Sequence, residues 1–431
     1  MSGRTTSIVW KRRFSIAGMV LALFLTGCFG QEPEPPVTLT WWVTYAQDSA
    51  EYPVLEALAE RYTEKTGRQI ELVSVPWTDM MPRTYGSNIL AIEQEAGRGP
   101  DLWGPVPHSW TGGFVADGQV LALERDQIQD IDQYLDDALW ACQVEQQQYG
   151  VPVLIDSVAL LYNRELIATP PETMEDLVAF AQDFTDPAQD RWGLVFPLLS
   201  QYHVYPFIEG HGGYVFKCIR NECTLDDVGL NNEGAVQAVQ FLSDLYIKEG
   251  LFPEQLADRT VMDEHSLHLF TSGQAAMMIE GSWVLSDVHQ SGINYGVTAL
   301  PPMPGATRAP RPWTLVQAFY VSAQSSLPDE TIDFVNYLAG PESAVDLQHV
   351  LGQIPVRRDI LRRTEFKRDQ EIQNWYGQIQ IGVPMPNILE LEYVWYPWGQ
   401  ALDIAIPGLS PVQETLDQAV EQIKSYFEET D

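Results

Sequence analysis

Basic residues are scarce in this chain. Lys and Arg total 25 against 59 Asp and Glu, a formal net charge of −34 over 431 residues. That balance repels phosphate backbones, which argues against nucleic acid as a partner. The motifs of common chemistries are missing too. No Gly-x-x-x-x-Gly-Lys-[Ser/Thr] loop, Gly-x-Ser-x-Gly elbow or His-Glu-x-x-His helix occurs, so phosphate cradling, acyl transfer and zinc proteolysis lack their usual signals. With 4 Cys, no Cys-x-x-Cys pair joins a His at zinc spacing, and His265-Ser266-Leu267-His268 reads as a solvated helix face. Neither a metal nor a cofactor is expected. No internal repeat of about 20 to 50 residues is visible.

What is present begins with a leader. Lys11, Arg12 and Arg13 precede an apolar run from Phe14 to Phe24, long enough for an export signal and too short to span a bilayer. Arg12-Arg13 also permits a twin-arginine reading. The run ends in Leu25-Thr26-Gly27-Cys28, which resembles the lipobox of bacterial lipoproteins; residues 1–27 then form the signal peptide and Cys28 the acylated anchor to the bilayer. Removing them takes four basic residues and no acid, leaving 21 basic against 59 acidic, or −38. Gln31-Glu32-Pro33-Glu34-Pro35-Pro36 suits an extended tether over residues 28–36, with globular structure from Val37. Cys218 and Cys223 bracket a polar turn, and a disulfide between them fits an extracytoplasmic location, with two free thiols as the alternative. Cys142 has no evident partner.

Hydrophobic residues make up 45% and include 13 Trp, enough for a sizeable core. Strands and helices alternate. Thr38 to Val43 is β-rich; Val54, Leu55, Leu58, Ala59 and Tyr62 recur at helical spacing before Gly67; and Ile70 to Val75 returns to strand, a βαβ unit. Asn232 caps a helix carrying Val236, Val239, Leu242 and Leu245, which Gly250 ends; Ala275 to Ile279 reads as a strand. Ser410-Pro411-Val412-Gln413 opens a last helix with Ser as N-cap and Pro at N1. The rhythm predicts an α/β architecture with more than one parallel-rich sheet.

Aromatic and acidic residues together suit a saccharide, whose apolar C–H faces want flat rings and whose hydroxyls want carboxylates or amides. Trp103 and Trp110 lie in a Gly/Pro-rich segment after Asp101, where loops carry function. Gly99-Pro100-Asp101, Trp110-Thr111-Gly112-Gly113-Phe114, Tyr149-Gly150-Val151-Pro152 and Leu161-Tyr162-Asn163 follow one another in order. Tyr205-Pro206-Phe207-Ile208, Gly212-Gly213-Tyr214-Val215-Phe216-Lys217, Asp227-Val228-Gly229, Ile279-Glu280-Gly281-Ser282-Trp283, Asn294-Tyr295-Gly296-Val297-Thr298 and Met385-Pro386-Asn387-Ile388 continue the series. From Val37 to the C-terminus this set resembles the maltose-binding protein branch of bacterial extracellular solute-binding proteins.

The resemblance implies a two-lobed periplasmic-binding-protein fold with discontinuous lobes, 37–152 plus 302–353 and 157–297 plus 357–431. Hinge crossings fall near 152–156, 297–301 and 352–356. It also implies a lipid-anchored carrier on the extracytoplasmic face of a bacterial membrane, at the cell surface or in the periplasm. The carrier would hand maltose, maltodextrin or a related oligosaccharide unaltered to the permease of an ABC importer. Trp283 and Trp395 match family tryptophans that stack on sugar rings, and Tyr202 a stacking tyrosine. His203 falls where the maltose pattern has an aromatic, and Asp156 where it has a glutamate accepting sugar hydroxyls. Trp110, His108 and Met385 join the candidate set, with Tyr45 and Asp48 as stand-ins in a first loop that is longer than the family's. Ser200 and Gly399 replace a family glutamate and arginine, so those contacts are not carried over. Trp77 is read as packing. Each candidate has a plainer alternative: core packing for Trp283 and Trp395, a helix cap or hinge support for Asp156. The rival function is an exported glycoside hydrolase using a carboxylate pair in an aromatic cleft.

Overall fold

The computed structural model describes residues 37–81, 89–219, 222–306 and 308–430. The leader, Cys28 and the Pro/Glu tether lie outside the described residues.

β1 (Thr38–Val43), α1 (Tyr52–Thr66) and β2 (Gln69–Ser74) form the first βαβ unit, with β1 and β2 parallel along their whole length. α1 turns Tyr52, Leu55, Leu58, Ala59 and Tyr62 inward. Gly67 ends it in the left-handed region at φ 77°, donating its N–H to the Thr63 carbonyl, a conformation that costs glycine little. The short α2 (Trp77–Met80) follows, and then β3 (Leu102–Pro107), parallel to β1 on its other edge.

The centre of the molecule is β4 (Gly150–Asn163), fourteen residues of which nearly all are buried. Its near-continuous Val, Leu and Ile run is the pattern of a strand covered on both faces. Further strands are β5 (Trp192–Val195), β6 (Ala275–Gly281), β7 (Tyr295–Thr298), β8 (Trp313–Val321), β9 (Ile354–Pro355) and β10 (Val383–Pro384). The first half of β4 lies antiparallel between β8 and β9, with Thr314 opposite Ser157 and Ile354 opposite Ile155. The second half lies antiparallel between β6 and β7, with Gly281 opposite Val158 and Thr298 opposite Leu160. At Ser157–Val158 one strand therefore changes all its neighbours. The result is a single ten-stranded path, β2-β1-β3-β8-β4-β6-β5, with β7 and β9 on β4 and β10 on β8. This corrects the expectation of more than one parallel-rich sheet: β4 runs antiparallel to all its neighbours and β8 to β3 and β4, being parallel to β10, and periodicity alone does not reveal that one strand serves both halves.

Helices α3 (Gln201–Gly210), α4 (Glu233–Ile247), α5 (Met262–Thr271), α6 (Glu392–Ala405) and α7 (Val412–Thr430) bear on the site or its supports. Asn232 caps α4 as expected, its Oδ1 accepting from Ala235 N at 2.9 Å. α4 ends at Ile247, three residues short of Gly250, itself left-handed at φ 61°. α7 starts at Val412, with the Pro411 carbonyl accepting from Thr415 N, so its cap lies one residue later than Ser410. A hairpin of Lys217–Ile219 and Glu222–Thr224 sets Cys218 opposite Cys223, and the two are disulfide-bonded. Cys142 is a buried free thiol, its pKa pushed up by burial. Among the described residues no helix is long and apolar enough to cross a membrane.

Replacing Asn232 with Ala removes the cap from α4 and is expected to cost about 1 kcal/mol, read as a lower urea midpoint with unchanged slope.

Candidate ligand-binding site

Two proline-bearing helices present the site's aromatics. α3 carries Tyr202 and Tyr205 and, inside it, Pro206; α6 carries Trp395 and Trp398 and, inside it, Pro397. Between them stands Trp313 at the start of β8. Tyr205 stacks on it with ring centroids 3.9 Å apart, and Trp395 meets it edge-on at 5.7 Å. The Tyr202 hydroxyl donates to the Trp313 carbonyl at 3.1 Å, which fixes its ring. Trp283, just beyond β6, continues the row at 5.7 Å from Tyr202. Its indole lies across Gly281, where a Cβ would sit 2.0 Å from the ring; only a glycine leaves that space. Trp283 is 37% exposed and Trp395 half-buried, so the row Trp283–Tyr202–Trp313–Trp395 runs from an open indole through a buried one to a half-buried one.

A groove of about 360 Å³ is lined by Trp395 and Tyr202 together with Trp110 and Trp77, the last two with rings 4.6 Å apart. Trp77 is 43% exposed and Trp110 9%, so the residue read from sequence as packing is the more open of the two. Gln201, Ser109 and Glu392 add polar atoms to the lining, and Met385 closes one side. The volume lies toward the lower end of the roughly 300–1,000 Å³ usual for small-molecule sites. Flat rings lining a groove with amide and carboxylate edges suit a pyranose chain. Among the described residues no group of His, Cys, Asp or Glu is arranged to hold a metal ion.

Comparison with known proteins gives the geometry a context. The profile of the bacterial extracellular solute-binding protein family matches residues 57–374. The chain belongs to that family. Within it, the chain groups with the maltose/maltodextrin branch. It is 27% identical to a galactooligosaccharide-binding protein of Bacillus subtilis (strain 168), over 80% of this chain and 82% of the relative. To a maltotriose-binding protein of Pyrococcus abyssi (strain GE5 / Orsay) it is 26% identical, over 86% and 79%. Among solved structures, a cyclo/maltodextrin-binding protein complexed with maltotetraose aligns with a TM-score of 0.77 at 28% identity, covering 92% of this chain and 98% of that one. The Thermus thermophilus maltotriose-binding protein bound with maltotriose aligns at 0.79 and 25%, covering 90% and 100%. The fold is thus the mixed α/β fold of two-lobed periplasmic sugar-binding proteins, and the chain is a solute-binding protein, not an enzyme.

In this solute-binding protein the remaining candidates sit behind the rings. Asp156, 1% exposed, accepts from Gln353 Nε2 at 2.6 Å, Gln317 Nε2 at 3.2 Å and, at 3.4 Å, the Tyr202 hydroxyl. Burial raises its pKa to about 7, outweighing the three donors that pull it down. Tyr45 is half-buried on the loop after β1. Its pKa is held above the usual range by burial first and then by the carboxylates of Glu51 and Asp156; Asp48, three residues on, is exposed. His203 backs Trp283 edge-on at 6.2 Å and is itself buried, with Nδ1 on Ser200 Oγ and Nε2 on Glu280 Oε1, both at 2.8 Å. His108 lies wholly beneath the groove. Its Nδ1 accepts from Val316 N at 2.9 Å, so Nε2 carries the proton and donates to Met385 O at 2.8 Å; burial lowers its pKa to about 4. Neither histidine reaches the open surface with a free nitrogen. The structure therefore joins Tyr202, Trp395, Trp110 and Met385 in one groove with Trp283 flanking it, and sets Asp156, His203 and His108 as its supports. Sequence reading missed Trp77, Gln201 and Trp313, which lie in no quoted motif.

Two outcomes follow from these supports. Asp156 has a folded pKa above its unfolded one, so its contribution is complete below about pH 4 and is lost as pH rises through about 7. In an Asp156→Asn variant that loss disappears. The melting temperature of the wild type relative to the variant should fall between pH 4 and pH 8. His108→Ala orphans two buried backbone groups and is expected to cost about 2 kcal/mol or more in urea unfolding.

Proposed function

We propose that this chain is the extracytoplasmic substrate-binding lipoprotein of an ABC sugar importer. It holds maltose, a maltodextrin or a related oligosaccharide in the aromatic groove and passes it unaltered to membrane permease subunits. The observation that carries this reading is the gathering of Trp77, Trp110, Tyr202 and Trp395 around one groove, with Trp283 continuing the row from Tyr202. Stacking supplies affinity without a chemical step, and the relatives whose names specify malto-oligosaccharides support the choice of ligand. Cys28 is the acylated anchor. The lobes are residues 37–152 plus 302–353 and 157–297 plus 357–431, hinged where 152–156 and 352–356 run side by side and at 297–301; closure of the groove by the hinge presents the permease with a ligand-dependent shape.

Calorimetry of residues 29–431 against mono-, di- and oligosaccharides tests the reading. A saturable malto-oligosaccharide signal without products supports it, and its absence overturns it. Trp283→Ala and Trp395→Ala should each weaken binding about tenfold or more with little change in melting temperature; wild-type affinity in both discards the stacking assignment. Cys28→Ala should move the protein from the membrane fraction to the soluble fraction.

A further inference from the structure

Gly399 lies in the middle of α6, one helical turn beyond Trp395, on a face that another part of the chain covers. A Cβ at this position would come within 2.7 Å of Gln201 Nε2 and 3.3 Å of Arg259 Nη2. Both side chains dock on the helix through that gap. Gln201 Nε2 donates to the Trp395 carbonyl at 2.7 Å, and Arg259 Nη2 to the Gly399 carbonyl at 2.9 Å, four residues on. Arg259 then binds the first to the second: its Nη1 donates to Gln201 Oε1 at 3.3 Å, while its Nε is held by Asp403 Oδ1 at 2.6 Å. Its base is set by a turn in which Asp258 Oδ1 accepts from both the N–H and the hydroxyl of Thr260. The planar fork of a guanidinium matches three acceptors at fixed angles, which an ammonium does not.

The position of this cluster gives it a role. Gln201 precedes Tyr202 at the start of α3 and itself lines the groove; Trp395 supplies both a groove wall and the carbonyl that Gln201 grips. The amide of Gln201 is oriented by one donor and one acceptor, so its direction into the groove is determined. We propose that Arg259, through Gln201 and the bare backbone of Gly399, is a positioning residue that sets the separation of Tyr202 and Trp395 and thereby which length of saccharide the groove retains. This rests on saccharide binding in that groove.

The test is calorimetry with maltose and maltotriose on the mature chain as wild type, Arg259→Ala, Arg259→Lys and Gly399→Ala, each also melted thermally. Arg259→Ala should weaken binding about tenfold and change the maltotriose-to-maltose affinity ratio, with Arg259→Lys falling between it and wild type. Combined with Trp395→Ala, Arg259→Ala should cost far less than it does alone, because the ring it positions is gone. A lowered melting temperature with an unchanged affinity ratio and additive losses would mean that Arg259 only stabilises the fold, and would overturn the inference. Wild-type protein that binds neither saccharide overturns the functional reading itself; wild-type binding with unaltered variants overturns the positioning role alone.

Discussion

One strand belonging to two sets of partners is the constraint on which the rest of the molecule depends. Residues 150–157 are held by β8 and β9, and residues 158–163 by β6 and β7. Ser157 marks the change, buried and donating its hydroxyl to the carbonyl of Trp313 at 2.8 Å. Trp313 is also the ring on which Tyr205 stacks and against which Trp395 leans. The junction of the sheet and the floor of the aromatic row are therefore the same few residues. A shift of β8 along β4 by one residue would turn Trp313 away from both helices.

The polar groups behind the rings have a shared logic. Asp156, His203 and His108 are all but sealed from water, and each is engaged by protein donors or acceptors. A buried polar group with its partners in place holds its neighbours in a single geometry, whereas a missing partner is costly. In the proposed site that rigidity has a use, since ordering rings on binding subtracts from affinity.

Much of this was legible in the residues. The βαβ opening, the Asn232 cap and the Cys218–Cys223 pairing agree with what periodicity and turn chemistry suggest, while Tyr202 and Trp283, singled out by the family resemblance, lie in one row of rings with Trp395. What was illegible depends on long-range contact. Nothing local to His108 shows that residues 208 and 277 positions away take both of its nitrogens. Trp77 reads as packing, yet on its four-residue helix it stands 43% exposed beside Trp110, and nothing local in the sequence marks that exposure. Arg259 carries no motif at all; the empty side of Gly399 explains it only once α6 is seen. The antiparallel placement of β8 escaped the pattern for the same reason, as strand direction is a property of pairing rather than of composition.

The sharing of β4 also governs when the chain can become compact. Ser157 has to wait for Thr314, and Ile155 for both Val316 and Ile354, before either side of that strand is closed. Contacts so distant along the chain are slow to form, since the intervening loop must be gathered first. Both sides of this strand can be closed only once the chain has been made as far as Pro355, some two hundred residues beyond the strand's own start.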